Sequence, residues 1–166
     1  MKTKITYKDL KAMHPCYKPE DIGITKDYVA TIPEFIKKYR NKVKGKGDIM
    51  WALCRKEYMT EKNMRLFAVW CARESLKLID KPDERSINAC NVAEKFANGE
   101  ATQKELNTAR CAAWDAAWGV AGNAARGAAR CAAWAAVGDA RDTILAVVWA
   151  AWGVQDAQID KLLTYF

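Results

Sequence analysis

The residues best equipped for chemistry lie in a four-residue rhythm between Cys111 and Asp142, which reads CAAW DAAW GVAG NAAR GAAR CAAW AAVG DARD. Small residues hold the middle of each tetrad, and Trp or Arg usually closes it. Indole faces and guanidinium groups together suit a nucleotide, whose base stacks on a ring and whose phosphate accepts paired hydrogen bonds from arginine. The candidate ligand-binding residues are therefore Arg110, Trp114, Trp118, Arg126, Arg130 and Trp134. Arg126 and Arg130 stand one helical turn apart, as do Trp114 and Trp118, so each pair projects from one side of its helix. The same residues have a plainer use: the indoles fill gaps left by alanine, and the arginines pair with Asp115, Asp139 or Asp142.

A second group that could bind is the run KKYRNKVKGKG, with Lys37, Lys38, Arg40, Lys42, Lys44 and Lys46 and no acid among them. It belongs to a charge imbalance. Residues 1 to 65 hold 16 Lys/Arg against 8 Asp/Glu, while residues 66 to 166 hold 11 against 12. Such a run contacts phosphate or an acidic protein surface, or it is a solvated helix end followed by a loop, where cations are favourable.

Catalytic groups are not found in a recognisable arrangement. The single histidine, His14, sits in HPC with no second ligand at metal-like spacing. No phosphate loop, nucleophile elbow or HExxH is present. The pairs Asp139/Asp142 and Asp156/Asp160 are explained by helix capping and by salt links to Arg141 or Lys161. The expectation is a protein that is not an enzyme, with no cofactor and no metal. Six cysteines (Cys16, Cys54, Cys71, Cys90, Cys111, Cys131) without any CxxC, in a chain with no apolar leader, read as reduced thiols in a cytoplasmic protein. No run of eighteen apolar residues is free of charge, which argues against a membrane span.

These residues must be positioned by helices. Residues 7 to 13 form a short helix ending before Pro15, and residues 14 to 30 read as irregular, punctuated by Pro19 and Gly23. Thr31 with Glu34 makes a capping box with Pro33 in the first turn, predicting a helix to about Val43, and Asp48 caps the next. After Thr60, the stretch Met64 to Ala72 is apolar on almost every face except at Arg65, as expected of a central helix. Ala89, Ala93, Phe96 and Ala97 follow helical spacing before Gly99, a left-handed cap position, and Thr102 with Glu105 is a second capping box. A last helix from about Asp139 carries Leu145, Trp152, Ile159 and Phe166 at seven-residue steps, with Val148, Trp149 and Leu162 between. No segment alternates as a strand does. The expected fold is all-α: a compact multi-helix bundle, one domain over 1–166, with Ala/Trp-rich C-terminal helices.

The tetrads add geometry. A four-residue repeat drifts about 40° per tetrad around a helix, so alanine would occupy nearly every face of an unbroken helix, which must then be wrapped or broken. RCAAW occurs at Arg110–Trp114 and at Arg130–Trp134, and a spacing of twenty rotates a straight helix by about 200° beyond whole turns. Gly119, Gly122 and Gly127, each costing roughly 1 kcal/mol against Ala in a helix, favour a break that turns both RCAAW faces toward a common space.

The stretches MRLFAVWCARESLKLI, RSINACNVAEKFANGEATQKELNTAR and DAQIDKLLTYF, joined by the alanine tetrads, resemble the Imm5-like immunity-protein family of phages and bacteria. The specific phrases are RLFAVWCAR and VAEKFANGEAT. The resemblance runs from about Asp48 to Phe166; residues 1–47, the basic segment, lie outside it. It implies an all-helical, non-enzymatic, cytoplasmic protein, often phage-borne, and brings no site residues with it. Three functions stay open: a stoichiometric inhibitor of a protein toxin or host defence effector, a sponge for a nucleotide-like immune signal in an Arg/Trp pocket, and a nucleic-acid binder using the basic run, whose affinity would fall with salt.

Overall fold

The computed structural model describes residues 1–119, 123–136 and 155–166, and side chains at 1–119, 127–136 and 156–166. The proposed positions Gly122, Asp139, Arg141, Asp142, Leu145, Val148, Trp149 and Trp152, and the side chain of Arg126, lie outside the described residues.

Helices dominate, as the caps and periodicities require. In chain order the described elements are β1 (Lys4–Thr6), α1 (Tyr7–Ala12), a 3-10 turn (Pro19–Ile22), β2 (Val29–Thr31), α2 (Ile32–Tyr39), α3 (Gly47–Leu53), α4 (Glu61–Lys77), α5 (Glu84–Ala97), α6 (Gln103–Gly119), α7 (Asn123–Ala135) and α8 (Gln155–Leu163). The strands were not expected. They form one antiparallel ladder, Lys4 opposite Thr31 and Thr6 opposite Val29, that ties the chain start to the residues leading into α2. Three residues per strand are too few for a legible alternation.

Helix starts follow side-chain chemistry. Glu34 accepts from the Thr31 backbone N–H at 2.8 Å and from its hydroxyl at 2.7 Å, and Glu105 does the same at Thr102, at 2.7 Å for each. Thr6 with Asp9 forms a further capping box at the head of α1. Asp48 does not sit at the cap position expected of it: Lys46 does, and Asp48, inside the first turn of α3, reaches back to the Gly45 N–H at 3.0 Å. Gly99 ends α5 at φ 80°, in the left-handed region that a Cβ disfavours. α2 stops at Tyr39 rather than Val43, and residues 40–46 continue as turns.

Two packing regimes share one hydrophobic core. Around β1, β2, α2 and α3 the buried side chains are large: Ile5, Ile24, Ile32, Ile36, Tyr39, Ile49, Met50 and Leu53. In the second regime α4, α5, α6 and α7 touch in a closed ring, and α5 also reaches α7 across it. α4 is central as its pattern predicts, burying Met64, Phe67, Ala68, Val69, Cys71 and Ala72. Its one charged exception, Arg65, is only 4% exposed, lies 4.9 Å from the Phe96 ring centroid and points toward the Ala135 carbonyl oxygen. α8 contacts α2, α3 and α4 and so joins the two regimes. No described helix is long and apolar enough to cross a membrane.

All six cysteines are free thiols, and they divide by exposure: Cys54, Cys71, Cys90 and Cys131 are buried, Cys16 and Cys111 exposed. Burial pushes the thiols of Cys54, Cys71 and Cys131 up, and that of Cys90 up to about 12, which starves them of thiolate. Helical position alone does not protect Cys111, which lies on the outer face of α6. Thiol labelling of the native protein should therefore show two fast groups, Cys16 and Cys111, and four slow ones, with six reached after denaturation; fast native labelling at Cys71 would contradict this packing.

Candidate functional site

The tetrads resolve into two helices. α6 ends at Gly119, α7 begins at Asn123, and the two pack against each other. On α6 the inward positions are Leu106, Ala109, Ala113, Ala116 and Ala117. On α7 burial extends round most of the helix: Ala128, Ala129, Cys131, Ala132, Ala133 and Ala135 are inside, continuing at Ala136. Among its described side chains only Gly127, Arg130 and Trp134, at spacings of three and four, form a less buried stripe. Over its described side chains this alanine-covered helix thus finds neighbours on nearly all sides, and Arg130 and Trp134 are left on the remaining one.

The break brings the two RCAAW copies together. Trp114 and Trp134 meet edge to face, with ring centroids 5.7 Å apart and planes at 71°. This is the favoured aromatic arrangement, because a positive ring edge meets a negative face. The Arg130 guanidinium lies 5.8 Å from the Trp114 ring centroid. Neither Arg110 nor Arg130 has a carboxylate within salt-bridge distance among the described residues, so the expected pairing of arginine with Asp115 is not formed there. Trp118, one turn beyond Trp114, does not join the cluster; it is 82% exposed. Four residues advance about 40° past a full turn, and that drift carries the second indole off the α6–α7 seam.

The basic run is placed against carboxylates of its own chain. Arg40 donates to Asp160 at 2.7 Å and to Asp156 at 3.4 Å, and Lys46 donates to Asp156 as well. Asp156 and Asp160 are four apart on α8 and present one acidic face to the α2–α3 connection. The expected link to Lys161 is absent: that ammonium lies 5.5 Å from the Tyr165 ring centroid. Three more cations rest on tyrosines. Lys38 is 5.4 Å from the Tyr28 centroid and 5.5 Å from that of Tyr39, Lys42 is 5.8 Å from Tyr39, and Lys44 is 4.9 Å from Tyr17. Lys37 is exposed.

His14, outside every group above, borders a cleft with no linear pattern to mark it, because its walls come from loop residues and from four separate elements. No group of three or more His, Cys, Asp or Glu side chains is gathered for a metal among the described residues. Compared with family models, with curated proteins and with solved structures, the chain matches none.

The ion pairs at Asp156 make stability depend on pH. The Lys46 ammonium, and then Arg40, hold the Asp156 carboxyl below the usual carboxylate range. A depressed folded pKa contributes stability above the unfolded value and loses it as pH falls through the folded one. Asp156→Asn should therefore melt below wild type at about pH 7, and the gap should close toward about pH 2. The effect should be small, because the side chain is exposed, and should shrink in moderate salt. Equal melting at neutral pH and low salt would show that the pairs contribute nothing.

Proposed function

We propose that the protein is a non-enzymatic binding protein that neutralises a protein toxin or host defence effector by stoichiometric contact, with Trp118 as its anchor. The observation that carries this reading is the 82% exposure of Trp118 on a helix whose opposite face is packed. An indole left in water forgoes the 150–250 Å² of burial that makes aromatics dominate interfaces, and Trp and Arg are the residues most often found at energetic centres of binding. Arg130 is exposed on the neighbouring helix, and the half-buried Trp114 and Trp134 make a stiff platform beside it. The resemblance to Imm5-like immunity proteins, and with it a phage-borne, cytoplasmic setting, supports the same reading.

Trp118→Ala should change folding stability by no more than about 0.5 kcal/mol, since it removes a surface side chain, while a hot-spot loss weakens binding by at least about 2 kcal/mol. The check is comparative. A protein retained one-to-one by the wild type and reconstituted from purified components should be lost with Trp118→Ala; capture by both would remove Trp118 from the interface.

A second reading is favoured by one further observation, the Arg130 guanidinium held over an indole with no carboxylate paired to it among the described residues. That arrangement leaves a cation and a ring available to a nucleotide-like signal. A thermal-shift screen against nucleotides, cyclic dinucleotides and ADP-ribose derivatives tests it, because a ligand at about 100 times its dissociation constant adds about 2.7 kcal/mol of stability. A shift that disappears in Arg130→Ala supports sequestration at the seam. No shift with any of these compounds rejects it for them.

A further inference from the structure

The loop after α1 carries a feature that neither the tetrads nor the basic run uses. His14 adopts φ 53°, a left-handed conformation uncommon for a residue with a Cβ, and sends the chain through Pro15, Cys16 and Tyr17 to the 3-10 turn. Tyr17 pins this loop to the start of α3: its hydroxyl donates to Asp48 at 2.8 Å, and the Lys44 ammonium covers its ring. Two cavities border the loop and share His14, Pro15, Cys16, Tyr17 and Pro19 as lining.

Their chemistry differs. The first, of about 290 Å³, is an apolar chamber walled by Leu10, Ile22, Ile24, Phe35, Trp51 and Ala52, with Asp48 as its charged residue. The second, of about 460 Å³, is lined by Lys11, Lys18, Lys26, Tyr7 and Glu20. None of the three lysines has a salt-bridge partner among the described residues; Lys11 lies 6.0 Å from the Tyr7 ring centroid. The one carboxylate there, Glu20, accepts from the Tyr7 hydroxyl at 2.6 Å. An apolar chamber at the small end of the range of ligand pockets, about 300–1,000 Å³, thus adjoins a vestibule with excess positive charge.

We propose that the cleft around the His14–Pro19 loop binds a small organic anion that places an apolar body in the chamber and its acidic head among Lys11, Lys18 and Lys26. Burial of the body supplies the non-directional part of the affinity. The Asp48 carboxylate repels an acid from the chamber, and the lysines attract it to the vestibule, so charge fixes the ligand's direction. A carboxylate or a phosphate ester meets this description equally.

The probe is 8-anilinonaphthalene-1-sulfonate, with the uncharged N-phenyl-1-naphthylamine as a control that keeps the aromatic body and lacks the acid. The sulfonate should bind saturably at one site per chain, more tightly than the control, and added salt should weaken only the sulfonate. Lys18→Gln/Lys26→Gln should weaken the sulfonate about three- to tenfold and leave the control unchanged. These are surface substitutions, so the fold should survive them. Val43→Trp, which projects into the chamber, should weaken both dyes. Displacement by octyl phosphate and by decanoate then ranks the two head groups. Binding that does not saturate, that ignores the lysine pair, or that neither competitor reverses would overturn the proposal.

Discussion

How closely other helices can approach α7 sets the geometry of the C-terminal half. A buried alanine contributes little apolar area, on the order of one methyl group, or about 0.8 kcal/mol. A helix inside a core with Ala128, Ala129, Ala132, Ala133, Ala135 and Ala136 therefore gains its stability by letting neighbouring backbones come near enough for dispersion contact. The diagonal contact of α5 with α7 is the sign of this. α5 offers a face of Ser86, Ala89, Cys90 and Ala93, and Cys131 of α7 lies near Cys90 on it. Large side chains at those positions would hold the diagonal pair apart and leave only the ring of adjacent contacts.

The placement of the Arg and Trp residues follows from that constraint. Indoles do not fit between helices this close, so Trp114 and Trp134 occupy the outer edge of the α6–α7 seam, where they pack on each other, and Arg130 lies over Trp114. The large apolar side chains are concentrated instead around β1, β2, α2 and α3, where isoleucines and Tyr39 fill the interior. α4 serves both regimes. Its Phe67 stacks on Trp70 and meets the Tyr165 ring edge to face, 6.2 Å away, which ties the chain's last residues to the bundle.

Where the sequence was legible, one local rule decided the outcome. Thr31 with Glu34, Thr102 with Glu105, and Gly99 are caps whose chemistry is complete within a few residues, and each stands where expected. The helix break between the RCAAW copies was legible because glycine costs and helical rotation pointed the same way. What escaped depended on distant partners. The β1–β2 ladder joins residues far apart in the chain, each strand too short to announce itself. Sequence proximity offers Lys161 as a partner for Asp156 and Asp160, whereas the pairs close over more than a hundred residues, onto Arg40 and Lys46. The cleft at the His14–Pro19 loop escaped for the same reason: proline, glycine and scattered apolar residues mark irregular chain, and only tertiary packing makes a cavity of them.

The charge imbalance takes a different meaning once the partners are known. Read along the chain, the excess of 16 basic over 8 acidic residues in the first 65 centres on the run from Lys37 to Lys46. In the fold, α8 returns two carboxylates to that run, and the phenol rings of Tyr17, Tyr28 and Tyr39 shelter three of its ammonium groups. Much of the densest positive stretch is therefore structural, holding the α2–α3 connection to the C-terminal helix. Among the lysines without a salt-bridge partner in the described residues are Lys11, Lys18 and Lys26, each isolated in sequence, gathered around the single carboxylate of Glu20 by the turn through His14 and Gly23. Linear charge density thus marks the wrong segment for an anion, because dense charge recruits internal counterions, whereas sparse lysines brought together late by the fold keep their charge for an external one.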